Sequence, residues 1–339
     1  MKKFYFGQLS SIEQEAYNEL AGGFADFLPN IRTRPLPDGT DSALRVIEAV
    51  SRDNPGMCFL GLGGVRVAFT SRRASFLPEW LYTQDEARRF TSAMMSAADK
   101  ILAGIPSGAD EYAKEKHIHD HFVRHMLYRD CPETDVRGQH AAHTAIGPLL
   151  RSTGVCEGFA KAMTLVLRRA GLQAMYVSGQ SAFNLEMGGG LAAGAGSDTG
   201  HAWNCVLIGG KSYHMDVTWD NSLTEQDGPI RYDYFNMPEV DIALDHSEFT
   251  APPCNDRDAN YFFREGLCVA GKPSLAALLD RAKARKADFV TFKIMPGKTG
   301  YPSNVEASVR AAIGSSGIRG CGMFINPYQR AVMLHSISW

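Results

Sequence analysis

Gly154-Val155-Cys156-Glu157-Gly158-Phe159-Ala160-Lys161-Ala162 opens the segment that decides how this chain is read. From Cys156 onward Phe159, Met163, Val166 and Ala170 recur at helical spacing, and Ala160 and Leu167 widen the same apolar stripe, which predicts a helix buried along one face. Gly154 lets the chain turn into that helix, Glu157 suits its positive N-terminal end, and Arg168, Arg169 and Gly171 form its stop signal. Cys156 therefore falls in the first turn. There, unpaired amides and the helix dipole favour a negative sulfur and can also face a developing oxyanion. A thiol attacks a carbonyl well only as thiolate, so a cysteine in this position reads as a candidate nucleophile.

A nucleophile needs a base, and the second informative stretch supplies one. Gly200-His201-Ala202-Trp203-Asn204-Cys205-Val206-Leu207-Ile208 and Lys211-Ser212-Tyr213-His214-Met215-Asp216-Val217-Thr218-Trp219-Asp220 alternate around Gly209-Gly210, a two-residue hairpin signal. With that turn Ile208 pairs with Lys211, Trp203 lies opposite Asp216 and His201 opposite Thr218. His201 and Asp216 become diagonal neighbours on one face, whereas a slip of one residue would separate them. Asp216 can then accept the proton of one imidazole nitrogen while the other faces Cys156.

Together, GVCEGFAKAMTLVLRRAGL and GHAWNCVLIGGKSYHMDVTWD resemble the transglutaminase-like superfamily of papain-fold cysteine enzymes, in particular its bacterial members. The resemblance covers roughly residues 110 to 250, including KEKHIHDHFVRHMLYRD, HAAHTAIGPLLRSTG and Tyr234-Phe235-Asn236. It implies a Cys-His-Asp triad at Cys156, His201 and Asp216, and an α+β fold in which the nucleophile helix packs on an antiparallel sheet. Gly154, Gly158, Trp203, Tyr213, Trp219 and Asp220 belong to the same pattern and read as structural, since large aromatics usually fill cores. The residues from 180 to 199, with Gly188-Gly189-Gly190 and Gly194-Ala195-Gly196, make a longer approach to His201 than the pattern implies.

Each residue also has a plainer reading. A lone helical cysteine is most often a small hydrophobe. His201 could be a satisfied core residue and Asp216 a strand-edge charge. For the oxyanion, the Cys156 amide is the natural first donor, and Gln139, His140 and His143 are the candidates for a second, with Gln139 and His143 preferred.

Bulk properties narrow the class. The chain has 339 residues, 45% hydrophobic and 21% charged, as ordinary globular proteins do. With 35 Lys and Arg against 37 Asp and Glu the net charge is -2, so no broad field draws it to nucleic acid or anionic lipid. Polar residues from Ser10 to Glu15 leave no apolar signal-peptide core after Met1-Lys2-Lys3, and no stretch approaches the roughly 18 apolar residues of a spanning helix. Seven cysteines, at 58, 131, 156, 205, 254, 268 and 321, contain no CxxC pair, which fits free thiols in a reducing compartment and a cytoplasmic location.

Three units are expected: an N-terminal α+β domain (1–105), the catalytic domain (106–265) and a small C-terminal α+β domain (266–339). In the first, Ser10 to Leu20, Ser42 to Val50 and Asp85 to Ala103 read as helices, and Cys58 to Leu62 with Val65 to Thr70 as a hairpin around Gly63-Gly64. In the last, helices Ser274 to Lys286 and Ser303 to Ala312 accompany strands Phe289 to Ile294, Cys321 to Ile325 and Ala331 to Ile337. This unit is expected to flank the cleft or bind a partner.

Weaker signals lead elsewhere. His117, His121 and His125 share a helix face with metal-ligand spacing, yet no Glu or Cys completes a zinc motif, so no metal and no cofactor is expected. Gly297-Lys298-Thr299 echoes a phosphate loop whose first glycine would fall at Phe292, and Gly188-Gly189-Gly190 lacks the βαβ context of a dinucleotide site. The expected reaction is attack of Cys156 on a protein or peptide carboxamide, giving a thioester that water hydrolyses or an amine acceptor captures. The alternatives are a catalytically inactive peptide-binding or scaffold domain, and a metalloprotein built on the histidine stripe.

Overall fold

Ser10 begins the first helix with a capping box: its hydroxyl accepts the Glu13 amide, and the Glu13 carboxylate returns to the Ser10 amide at 3.0 Å. The computed structural model that opens this way describes residues 3–132, 134–182, 199–296 and 305–339. Helix α1 (Ser11–Ala25), strand β1 (Ile31–Thr33) and helix α2 (Thr40–Asp53) lead into β2 (Leu60–Thr70), β3 (Arg73–Trp80) and α3 (Gln84–Leu102). The three strands form an antiparallel sheet in the order β1-β3-β2. The hairpin expected at Gly63-Gly64 is not there. Those glycines lie within β2, where the register against β3 shifts between Leu60 and Val65, and the turn comes after Thr70, whose Oγ1 accepts the Arg72 and Arg73 amides. Gly64, at φ 68°, serves an irregularity in the strand and not a reversal of the chain.

Next come α4 (Glu111–His125), β4 (Leu127–Tyr128), α5 (Val136–Ala142), α6 (Ile146–Arg151), β5 (Thr153–Gly154) and α7 (Cys156–Arg169). Strand β4 runs parallel to β5, setting Tyr128 opposite Gly154. The central sheet contains β6 (Gln173–Ser181), β7 (Thr199–Ile208) and β8 (Lys211–Met215), followed by α8 (Val217–Leu223), α9 (Glu239–Ile242), β9 (His246–Ser247) and α10 (Tyr261–Arg264). It is antiparallel in the order β8-β7-β6-β9. Gly209 and Gly210 take φ of 58° and 79°, which only glycine adopts freely at both central positions, and Ile208 pairs with Lys211 as the sequence predicts. The second strand ends earlier than expected. Asp216 leaves the ladder and caps α8, its Oδ1 accepting the Thr218 and Trp219 amides at 2.9 and 3.1 Å, so residues 217 to 220 are helical and not extended.

Alternation along β6 and β7 gives the central sheet two buried faces. Ala174 and Val206 pack with Phe159, Met163 and Val166 of α7 in a core that also holds Met94, Ala98 and Phe122. Met175, Val177, Trp203 and Cys205 face Leu20, Val46 and Phe76 of the N-terminal elements. Helix α7 thus lies on an antiparallel sheet within an α+β fold, as expected. The chain ends in β10 (Cys268–Val269), α11 (Lys272–Ala284), β11 (Val290–Ile294), α12 (Val305–Ser316), β12 (Gly320–Asn326) and β13 (Ala331–Ser338). The order is β10-β11-β13-β12, with α11 and α12 covering a separate apolar core around Leu279, Phe292 and Leu334. The glycine segments at 188–190 and 194–196 and Gly297-Lys298-Thr299 lie outside the described residues.

Candidate active site

Helix α7 starts where backbone crowds backbone. A Cβ on Gly154 would lie 2.9 Å from the Ala142 carbonyl oxygen and 3.0 Å from Pro148 Cγ, and one on Gly158 would collide with the same Ala142 oxygen. Only glycine lets the chain enter at this angle. Val155 precedes the helix in extended conformation and offers no side-chain cap, so the first-turn amides around Cys156 are not engaged by it. Cys156 is half-buried.

His201 reaches this point from β7. Its Nε2 lies 2.6 Å from Asp216 Oδ2, and the Cys156 side chain is near enough to help raise its pKa. With Nε2 taken by Asp216, Nδ1 is the nitrogen left for the sulfur. Burial alone would depress the His201 pKa, but the Asp216 carboxylate and the Cys156 contact outweigh it and push the imidazole up to about 10. Burial likewise opposes ionisation of Asp216, and the two histidines facing it hold its carboxyl far below the usual range. The structure brings Cys156, His201 and Asp216 near one another, but not by the expected pairing: the ladder ends at Asn204 and Met215, so Trp203 does not pair with Asp216 nor His201 with Thr218, and Asp216 meets His201 as the cap of α8. Trp203 stacks on the His201 ring with centroids 5.9 Å apart, and Trp219 lies 5.5 Å away on a tilt.

The residues considered for the oxyanion are engaged elsewhere. Gln139 Nε2 donates to the Cys131 carbonyl at 3.4 Å. His140 is buried beside Tyr82, with burial lowering its pKa to about 4. His143 Nδ1 lies 3.1 Å from Glu157 Oε2, which raises its pKa. Glu157 also binds Lys161 Nζ at 2.6 Å, and these two cationic neighbours overcome burial to hold its carboxyl at about 2. Close to Cys156 stands Tyr128, which β4 sets opposite Gly154. Burial and then the Cys156 charge push that phenol up. The sequence carries no signal for this placement, which depends on β4 pairing in parallel with the strand just before the cysteine.

A second histidine was also missed. His246, fully buried, sets Nε2 at 3.2 Å from Asp216 Oδ2 and Nδ1 at 2.7 Å from Asp245 Oδ1. His201, Asp216 and His246 are the group of potential metal ligands found among the described residues. Around a tetrahedral zinc, ligand atoms at the usual bond lengths stand about 3.4 Å apart. The 2.6 Å between His201 and Asp216 is the spacing of a hydrogen bond. The stripe of His117, His121 and His125 does not converge on a carboxylate: His117 Nε2 contacts the Ile101 carbonyl at 2.9 Å, and the rings of His121 and His125 lean on each other at 4.6 Å. Burial, then the neighbouring His125 and His117, push His121 down to about 4.

The model of the transglutaminase-like superfamily matches residues 98–217, a span that contains Cys156, His201 and Asp216. No curated protein matches. Among solved structures the chain is similar to a TGase, at 14% identity and a TM-score of 0.31, covering 50% of this chain and 47% of that one. It is similar to a proposed protease from Parabacteroides distasonis ATCC 8503, at 14% identity and a TM-score of 0.26, covering 43% and 29%. A proposed cysteine protease from Cytophaga hutchinsonii aligns at 16% identity with a TM-score of 0.27, covering 45% and 61%. The chain thus spans about half the length of the first of these, and less than two thirds of the other two. Residues 98–217 are thus the part of the chain that matches the transglutaminase-like superfamily.

Proposed function

We propose that this protein is a cysteine-dependent amide hydrolase acting on protein or peptide substrates, with Cys156 as nucleophile, His201 as base and acid, and Asp216 as the orienting carboxylate. The observation that carries the reading is the His201 imidazole, held at 2.6 Å by Asp216 and set beside Cys156 at the start of α7. His201 takes the Cys156 proton, the sulfur bonds to the carboxamide carbon, and the carbonyl electrons move to oxygen. The Cys156 amide is the donor we assign to that oxyanion. His201 then protonates the departing amine, leaving a thioester on Cys156. Water, activated by the same imidazole, releases the acid and restores the thiol, and a second amine in place of water gives transamidation.

Within this reading residues 106–265 are the catalytic unit, flanked by units at 1–105 and 266–339. Among the described residues no helix is long and apolar enough to cross a membrane. The scattered free cysteines fit a reducing compartment, and on that ground we propose a cytoplasmic location. The test combines an electrophilic amide-mimic probe with a peptide library, with and without added amine. The expected result is a probe adduct on Cys156 and peptide products that disappear in Cys156→Ala. A wild-type protein that neither takes the probe at Cys156 nor turns over any peptide would point to a peptide-binding module.

A further inference from the structure

We propose that His246 is a positioning residue for this site, and that the C-terminal turn between β12 and β13 holds it in place through Asp245. The inference rests on the reading of Cys156, His201 and Asp216 as a catalytic set.

Asp216 has both oxygens engaged. Oδ1 is fixed by the two amides of α8, and Oδ2 receives His201 at 2.6 Å and His246 at 3.2 Å. The direction in which Asp216 presents Oδ2 to His201 is therefore set partly by His246. The His246 ring is itself confined, with its centroid 4.8 Å from Trp203 and 4.6 Å from Trp219. Its far nitrogen lies 2.7 Å from Asp245 Oδ1. Asp245 Oδ2 in turn accepts the Tyr234 hydroxyl and Gln329 Nε2, both at 2.8 Å.

Gln329 belongs to the C-terminal turn, and it is placed with care. It is fully buried, its Nε2 also reaches the Asp241 carbonyl at 3.1 Å, and its amide donates to Asn326 Oδ1 at 3.2 Å. Asn326, equally buried, donates to the Tyr234 hydroxyl at 3.2 Å. Burying such amides is costly unless each finds a partner. The C-terminal core is apolar, and the partners of these two side chains include Tyr234, Asp241 and Asp245 of the segment between α8 and β9. A continuous chain of hydrogen bonds thus runs from Gln329 through Asp245 and His246 to the carboxylate oxygen that holds the base. A role limited to packing would not require the chain to end on that atom.

The experiment measures the rate constant for alkylation of Cys156 by iodoacetamide at fixed pH, site by site, with thermal unfolding recorded on the same samples. His201→Ala tests the underlying reading, because a folded variant that reacts as fast as wild type would refute the role of His201 whatever His246 does. Given a slow His201→Ala, His246→Leu is expected to slow alkylation about tenfold while remaining folded, the loss of a charge-assisted hydrogen bond. His246→Gln, which keeps a donor toward Asp216, is expected to recover to within about threefold of wild type. Gln329→Leu is expected to slow the reaction about threefold, and to add nothing in combination with His246→Leu, as members of one chain do. Should His246→Leu fail to fold, the isosteric Asp245→Asn carries the comparison, with slowing again expected. The proposal is overturned by wild-type rates in folded His246→Leu or Asp245→Asn, or by equal losses in the Leu and Gln variants. Stoichiometric zinc in the wild-type protein that is lost with His246 would also overturn it.

Discussion

Asp216 does three things with one carboxylate: it starts α8, holds His201 and receives His246. Each contact favours its ionised form, which is why a fully buried acid stays charged. The consequence for stability follows from the two shifts. His201 is raised from 6.5 to about 10 in the folded protein, so its contribution is complete below about pH 6.5 and is lost as the pH rises toward 10. Asp216 is depressed below its ordinary 3.8, so its contribution is present above that value and is lost as the pH falls beneath it. The pair therefore stabilises most between about pH 4 and 6.5. The difference in melting temperature between wild type and His201→Gln should be larger at pH 6 than at pH 9.5, and an equal difference would contradict the assigned direction for His201.

At the scale of elements, α7 owes its position to two glycines rather than to its apolar stripe alone. A methyl at Gly158 would meet the Ala142 carbonyl, with the Thr144 carbonyl oxygen 3.0 Å away, and neither backbone atom can swing aside as a side chain would. Gly158→Ala should cost about 1–3 kcal/mol in denaturant unfolding and displace the first turn that presents Cys156. A substitution neutral in stability would mean that α7 does not lie this close to the end of α5. The hairpin was legible because Gly209-Gly210 and strict alternation fix one register. The helix after it was not, since Val217, Thr218 and Trp219 are strand-favouring residues and only Asp216, as an N-cap, argued otherwise. In β2 the signal misled in the opposite sense: paired glycines suit a turn and an irregular strand equally, and pairing with β3 decided between them.

Over the whole molecule, the central sheet is shared between α7 on one face and the N-terminal elements on the other, while the C-terminal sheet joins through a small apolar cluster, in which Phe324 and Tyr328 pack with Trp219 and Tyr234, and through polar contacts. The pair of Lys293 and Asp241, 3.0 Å apart and almost wholly buried, is a second such join. Contacts of this kind link residues far apart in sequence with no periodicity to announce them. That is why Cys156, His201 and Asp216 could be found from local pattern, whereas Tyr128, His246 and Gln329 could not. On the proposed function, these elements converge on the reactivity of one sulfur. The direct test is the rate of iodoacetamide alkylation of Cys156 at pH 6 in the folded protein, against the same cysteine in the urea-unfolded chain. A folded-state rate about tenfold or more above the unfolded one is expected, given an imidazole that takes the proton. A folded-state rate no greater than the unfolded one would contradict the assignment of Cys156 as nucleophile.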